Sequence, residues 1–184
     1  MDYTNKVVIV TGASSGIGAA AAVLFAKYGA KLTLIGRNQQ RLHDICVKCE
    51  GERGNKPLEL RLDLTDKGSC ATVITKTVGT FGKIDVLVNN AGTLTMSSIF
   101  DEHIDAFDEV INLNLKVPYK LTHLAIPYLT KTKGNIVNLV GAKYTRIRHG
   151  FIPFSIAKAG LDRFTKSAAV ELFVVIKLFN EFII

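Results

Sequence analysis

Thr11-Gly12-Ala13-Ser14-Ser15-Gly16-Ile17-Gly18 decides how this sequence is read, because of what stands on either side of it. A short β-branched run, residues 7–11 (VVIVT), leads into it, and an alanine-rich helical pattern over residues 16–28 leads out. A helix that starts directly after a strand presents its first N–H groups without intrahelical partners, and it presents the positive end of its dipole. Both favour a bound phosphate. Gly12 allows the tight turn, Gly16 lets the backbone approach a diphosphate, and Gly18 permits close packing of the helix. Ser14 and Ser15 add hydroxyl donors, and Ile17 stands in the same loop. Three glycines alone also fit a purely structural turn; spacing and strand–loop–helix context together favour the phosphate loop.

Outward from the loop, two periodicities alternate. Residues 31–36 (KLTLIG), 58–62 (LELRL), 84–89 (IDVLVN) and 135–140 (NIVNLV) read as further short strands, mostly buried on both faces. Between them, Leu42, Ile45, Cys46 and Cys49 keep a helical stripe, as do Cys70, Val73, Ile74 and Val78. A longer helix is expected over residues 101–129, interrupted near Pro118, and another over 153–173. Alternation of this kind implies a parallel sheet covered by helices on both faces. Cys46 and Cys49, with His43 nearby, fit an apolar helix face better than a metal or redox site, since a buried thiol behaves as a small hydrophobe and no fourth ligand is close in sequence. No metal site is expected.

The chain has 184 residues, 48% of them hydrophobic and 21% charged. A domain of this size buries roughly 70% of the surface its unfolded chain exposes, which excludes disordered and disulfide-scaffold classes. No window reaches the ~20 apolar residues of a membrane span, and the first residues lack a signal-peptide pattern, so the expected location is the cytoplasm. The net charge of +7 lies wholly in the last third, where residues 119–184 hold ten basic and three acidic side chains. The run 143–149 (KYTRIRH) could attract nucleic acid, but no nucleic-acid module accompanies it, and solvated faces are the expected explanation.

The TGxxxGxG spacing resembles the short-chain dehydrogenase/reductase family. Further residues carry the same resemblance: Asn89-Asn90-Ala91-Gly92 after the fourth strand, Asp63-Leu64 after the third, Asn114 within INLNLK, and Lys158 within FSIAK. The resemblance runs from Lys6 to about Leu172. It implies an α/β fold, a Rossmann-like doubly wound parallel sheet of order 3-2-1-4-5 in a three-layer αβα sandwich, with residues 1–172 as the dinucleotide-binding domain. It also implies hydride transfer between NAD(P)(H) and a carbonyl or alcohol. Carried over residue by residue, Asp63 and Leu64 face the adenine, while Asn90, Ala91 and Gly92 line the adenosine side. Lys158 holds the nicotinamide ribose, and Asn114 and Lys158 belong to the catalytic set. The helices over 101–129 and 153–173 correspond to the family's oligomer faces, for homo- or hetero-oligomers. The end of the second strand, Gly36-Arg37-Asn38, places a guanidinium where NAD-preferring enzymes have a carboxylate, so NADP(H) is expected over NAD(H).

Two departures qualify the resemblance. The family's Tyr-x-x-x-Lys reads Phe154-Ser155-Ile156-Ala157-Lys158 here, and Gly141 stands thirteen residues earlier where the family has serine. A phenyl ring cannot donate a proton, and loss of a positioned acid costs about 10²–10⁴ in rate. Tyr144, His149 and Ser155 are the candidates for a substitute donor. After Leu172, residues 173–184 form a divergent hydrophobic tail in place of the family's sixth and seventh strands, expected either to extend the helix or to cover the edge of strand five. Three functions stay open: a weakened NADP(H)-dependent oxidoreductase, a non-catalytic cofactor-binding or regulatory subunit, or a truncated fragment without function.

Overall fold

A computed structural model describes residues 1–102, 104–141 and 148–172, and the backbone of 178–182. The strands are β1 (Val7–Thr11), β2 (Lys31–Gly36), β3 (Leu58–Arg61), β4 (Val86–Asn89), β5 (Asn135–Leu139) and β6 (Leu178–Phe182). They form one sheet of order β3-β2-β1-β4-β5-β6, every pairing parallel. The helices are α1 (Gly16–Lys27), α2 (Gln39–Arg53), α3 (Ser69–Phe81), α4 (Asp105–Ile111), α5 (Val117–Thr132) and α6 (Ile152–Leu172). The order 3-2-1-4-5 is the expected one. A correction is needed at the edge, where the sheet was expected to stop: a sixth strand follows, pairing Asn135 to Leu139 with Leu178 to Phe182. An unpaired edge leaves backbone groups unsatisfied, and the tail supplies the ladder from a sequence unlike the family's own strand. Residues 173–177, 183 and 184 lie outside the described residues, as do Tyr144 and most of the basic run 143–149.

Alternation along the strands divides the core into two layers. Ile9, Ile35, Leu87 and Ile136 point to one face, against Val73 and Ile74 of α3 and Leu121, Ala125 and Leu129 of α5. Val8, Val10, Leu32, Leu34, Val86 and Val88 point to the other, against Ala22 and Ala26 of α1 and Leu42, Cys46 and Cys49 of α2. The cysteines thus occupy the apolar stripe read from the sequence, and burial pushes the thiols of Cys46 and Cys49 up to about 12 and about 11. The long helix read over 101–129 starts later, at Asp105, and a single π turn over Asn112–Lys116 joins α4 to α5 immediately before Pro118.

The lower edge of the sheet is tied by a residue absent from the sequence reading. Asp85 is buried, accepts the Val7 N–H at 2.9 Å, and lies 3.0 Å from the ammonium of both Lys6 and Lys83. Burial by itself raises its carboxyl, but the Val7 amide and the two lysines outweigh burial and hold it below the ordinary 3.8. A lowered carboxylate stabilises the fold fully above the unfolded value near 3.8 and loses that contribution as pH falls through the lowered one. Replacing Asp85 by Asn should cost about 1–3 kcal/mol at neutral pH. The difference from wild type should shrink as urea melts are taken from pH 6 down to pH 3.

Candidate nucleotide site

The cleft sits above the carboxyl ends of β1 and β4, where the strand order reverses, the position at which open parallel sheets bind ligands. The Thr11 hydroxyl donates to the Val88 carbonyl at 3.1 Å and accepts the amides of Asn90 and Ala91 at 2.9 and 3.0 Å. The Asn90 side-chain amide returns to the carbonyls of Thr11 and Gly12. These bonds fix the two loops against each other.

The glycines of the first loop are each required for a different reason. Gly12 and Gly16 have φ of +66° and +55°, which disfavours any side chain. Gly18 is buried: a Cβ there would collide with the Asn90 amide and the Gly12 carbonyl oxygen. The loop backbone leaves space above it, as a diphosphate requires. Ser15 caps α1 through its backbone only, so its hydroxyl and the first amides of the helix remain available, and the first turn has no acidic residue.

A cleft of about 360 Å³ opens over this loop, lined by ten of the expected residues: Gly12, Ser14, Ser15, Ile17, Arg37, Asp63, Leu64, Asn90, Ala91 and Gly92. Gly16, Gly18 and Lys158 do not line it; Gly18 packs beneath. Six further residues line it: Ile35, Gly36, Asn38, Arg41, Leu62 and Leu113. Gly36 keeps β2 close to Ser14, whose Cβ lies 3.0 Å from where a Cβ on residue 36 would stand. Leu113, the residue before Asn114, reaches the same cleft. Asn38 accepts the Arg41 amide at 2.9 Å and so caps α2, setting Arg41 beside Arg37 at the cleft wall. Arg37 is exposed and pairs with Asp63 at 3.6 Å. Bonds from the Thr65 hydroxyl and amide, with Arg37 adding to them, hold the Asp63 carboxyl low.

Asn114 and Lys158 meet at the far end, beside Gly92. The Asn114 side chain exchanges two hydrogen bonds with the Thr93 backbone, accepting from N–H at 2.8 Å and donating to C=O at 2.7 Å. A Cβ on Gly92 would lie 2.7 Å from Asn114 Oδ1 and 3.7 Å from Lys158 Nζ. Lys158 is buried, donates to the Leu139 carbonyl at 2.7 Å, and stands 5.9 Å from the centre of the Phe154 ring. Burial brings its ammonium down to about 8. Phe154 packs edge-on to Phe151, with ring centres 6.4 Å apart. Gly141 has φ of +85°, so its position carries a backbone conformation that serine adopts only with strain. Of the substitute donors, His149 is exposed, Ser155 is half-buried on α6, and Tyr144 is not described.

Residues 6–175 match the family model described as short chain dehydrogenase. A 3-oxoacyl-(acyl-carrier-protein) reductase of Thermotoga maritima is 35% identical over 173 residues, covering 94% of this chain and 70% of its own length. The 11-beta-hydroxysteroid dehydrogenase-like 4A of Arabidopsis thaliana is 34% identical over 171 residues, covering 91% of this chain and 56% of its own. A short-chain dehydrogenase/reductase of unknown function from Caenorhabditis elegans, solved with its cofactor, superposes with a TM-score of 0.89 at 34% identity, over 97% of this chain and 69% of that one. With the phosphate loop, the strand order and the Asn90–Gly92 turn in place, this chain belongs to the short chain dehydrogenase family of oxidoreductases, whose members bind nicotinamide dinucleotides.

Proposed function

We propose that this protein binds NADP(H) in the β1–β4 cleft and that its carbonyl–alcohol chemistry is strongly impaired. The observation that carries this reading is the contrast between the two ends of the site. At the phosphate end every glycine has the conformation or clearance the loop needs, and two guanidiniums, Arg37 and Arg41, flank the place expected for the ribose. A guanidinium pair suits a 2′-phosphate, whereas a carboxylate there would suit a free hydroxyl. Binding would draw Arg37 away from Asp63, leaving that carboxylate free to accept from the adenine amine.

At the chemical end, the bound cofactor would supply a hydride, and the chain must then handle a proton on the substrate oxygen. Phe154 cannot donate one, and Gly141 offers no hydroxyl to polarise a carbonyl. Asn114 holds the Gly92–Thr93 turn in place, and Lys158 keeps a buried ammonium for the ribose hydroxyls. These residues serve binding and positioning without completing catalysis.

Calorimetric titration is expected to show NADPH binding at least tenfold tighter than NADH, with Arg37→Glu removing that preference. On a carbonyl panel the wild type should turn over 10²-fold or more slowly than Gly141→Ser/Phe154→Tyr. Wild-type turnover equal to that of the double variant would sink the proposal of impairment. Because position 141 is left-handed, Gly141→Ser alone should destabilise by about 1–2 kcal/mol, which a thermal melt of the single variant reads separately.

Lys158 gives an independent check. Its folded value near 8 lies below the ordinary 10.5, so between them the unfolded chain binds more protons and stability rises with pH. Relative to Lys158→Met, the wild type should gain up to about 3 kcal/mol between pH 8 and pH 10.5, while the variant loses tenfold or more in NADPH affinity.

A further inference from the structure

Among the described residues, two hydrogen bonds join α6 to β5. One is the Lys158 ammonium on the Leu139 carbonyl, at the chemical end of the cleft. The other lies one residue back along the strand and two turns on along the helix, where the Asn138 amide donates to the Thr165 hydroxyl at 2.9 Å. Asn138 and Thr165 are both buried, and neither lines the nucleotide cleft. Both stand where packing alone would take an apolar side chain. Asn138 follows Ile136 on the face of β5 that meets the core, and Thr165 follows the buried Leu161 on α6.

The hydrogen bonds around this pair run in one direction. The Asn89 amide donates to Asn138 Oδ1 at 2.8 Å, the Asn138 amide donates to Thr165 Oγ1, and the Thr165 hydroxyl donates to the Leu161 carbonyl at 2.7 Å. Both ends of the Asn138 side chain are thereby used, one toward β4 and one toward α6. Asn89 immediately precedes Asn90, whose side-chain amide closes the phosphate loop on the Thr11 and Gly12 carbonyls. The chain of bonds therefore starts beside the loop closure and ends on the helix that carries Lys158. A buried donor without an acceptor is costly, so the Asn138 amide selects the one register of helix on strand that offers it the Thr165 oxygen. Packing leaves that choice to the side chains, because α6 packs chiefly on α4 and touches β5 sparingly. Lys158 and Thr165 are seven residues apart on one helix face, so a slide or tilt of α6 at Thr165 carries Lys158 with it.

We propose that Asn138 and Thr165 are positioning residues of the nucleotide site: their bond sets the register of α6 on β5, and with it the place of the Lys158 ammonium beside Gly92. The consequence for cofactor binding rests on the role given to Lys158 above; the placement of the ammonium does not.

The test compares Thr165→Val and Thr165→Ser in the full chain, with Thr77→Val as the control. Thr77 is also a buried helical threonine that donates to the carbonyl four residues back and bonds a strand side chain, Thr33, but it stands on α3 and does not line the cleft. Two readouts are taken: NADPH affinity by calorimetry, and the titration of Lys158 by NMR of labelled lysine side chains without cofactor, assigned with Lys158→Met. Thr165→Val should weaken NADPH binding fivefold or more and move the Lys158 titration from about 8 toward the ordinary 10.5 as the ammonium gains water. Thr165→Ser keeps the hydroxyl and should hold both readouts at wild-type values. Thr77→Val should lower the melting temperature and leave both readouts unchanged. Asn138→Ser breaks the same bond from the strand side and should reproduce the Thr165→Val result, so it decides the matter if Thr165→Val does not fold. A wild-type Lys158 titration in either folded variant, or an equal change in Thr77→Val, overturns the proposal. If the wild type binds no NADPH, the cofactor reading falls and the Lys158 titration alone decides the positioning.

Discussion

The site depends on the junction of β1 and β4, where the Thr11 hydroxyl and the Asn90 amide satisfy backbone groups that the ends of the two strands leave free. Parallel strands diverge after their last ladder bond, and at the point where strand order reverses no helix fills the gap between them. Thr11 and Asn90 close that gap at its base with side chains, and the opening above becomes the cleft. Gly12 and Gly18 need to be glycine because this closure is tight: the Asn90 amide lies where a Cβ on either would have to go. The phosphate loop and the Asn90–Gly92 turn are therefore one structural unit, although about seventy residues of chain separate them.

Much of this was legible in the sequence because it rests on local rules. Strands buried on both faces read as continuous apolar runs, and the bounds of β1 and β2 coincide with the runs at residues 7–11 and 31–36. The glycine spacing located the turn, and the side-chain periods of two and 3.6 located the layers. What escaped depended on groups distant in sequence. Asp85 reads as an isolated acid within a strand, and only the fold brings Val7, Lys6 and Lys83 to it. Arg41 reads as a solvent-facing helix cation until the Asn38 cap fixes where α2 begins. Of the two places expected for residues 173–184, β6 takes the one beside strand five, since an open parallel edge accepts any segment able to present an extended backbone.

The energetic logic differs between the two ends of the sheet. At the lower edge Asp85 is a buried charge with three donors around it, and the arrangement contributes stability. At the upper edge Lys158 is a buried charge with a single carbonyl partner among the described residues, and burial draws its proton affinity down by more than two powers of ten. A hydrophobic residue at 158 would relieve that cost.

The two replacements at the chemical end differ in kind. Phe154 differs from tyrosine by one hydroxyl, and its ring lies near the Lys158 ammonium and edge-on to Phe151. Gly141 differs from serine in backbone as well as side chain, because its φ of +85° turns the chain out of β5 along a path that residues with a Cβ avoid. Hydroxyl chemistry at 154 can thus be restored by a change of side chain alone, whereas at 141 it needs the backbone to move. Gly141 is therefore the larger departure from the family's pattern, in backbone conformation as well as side chain, and Phe154 is the smaller.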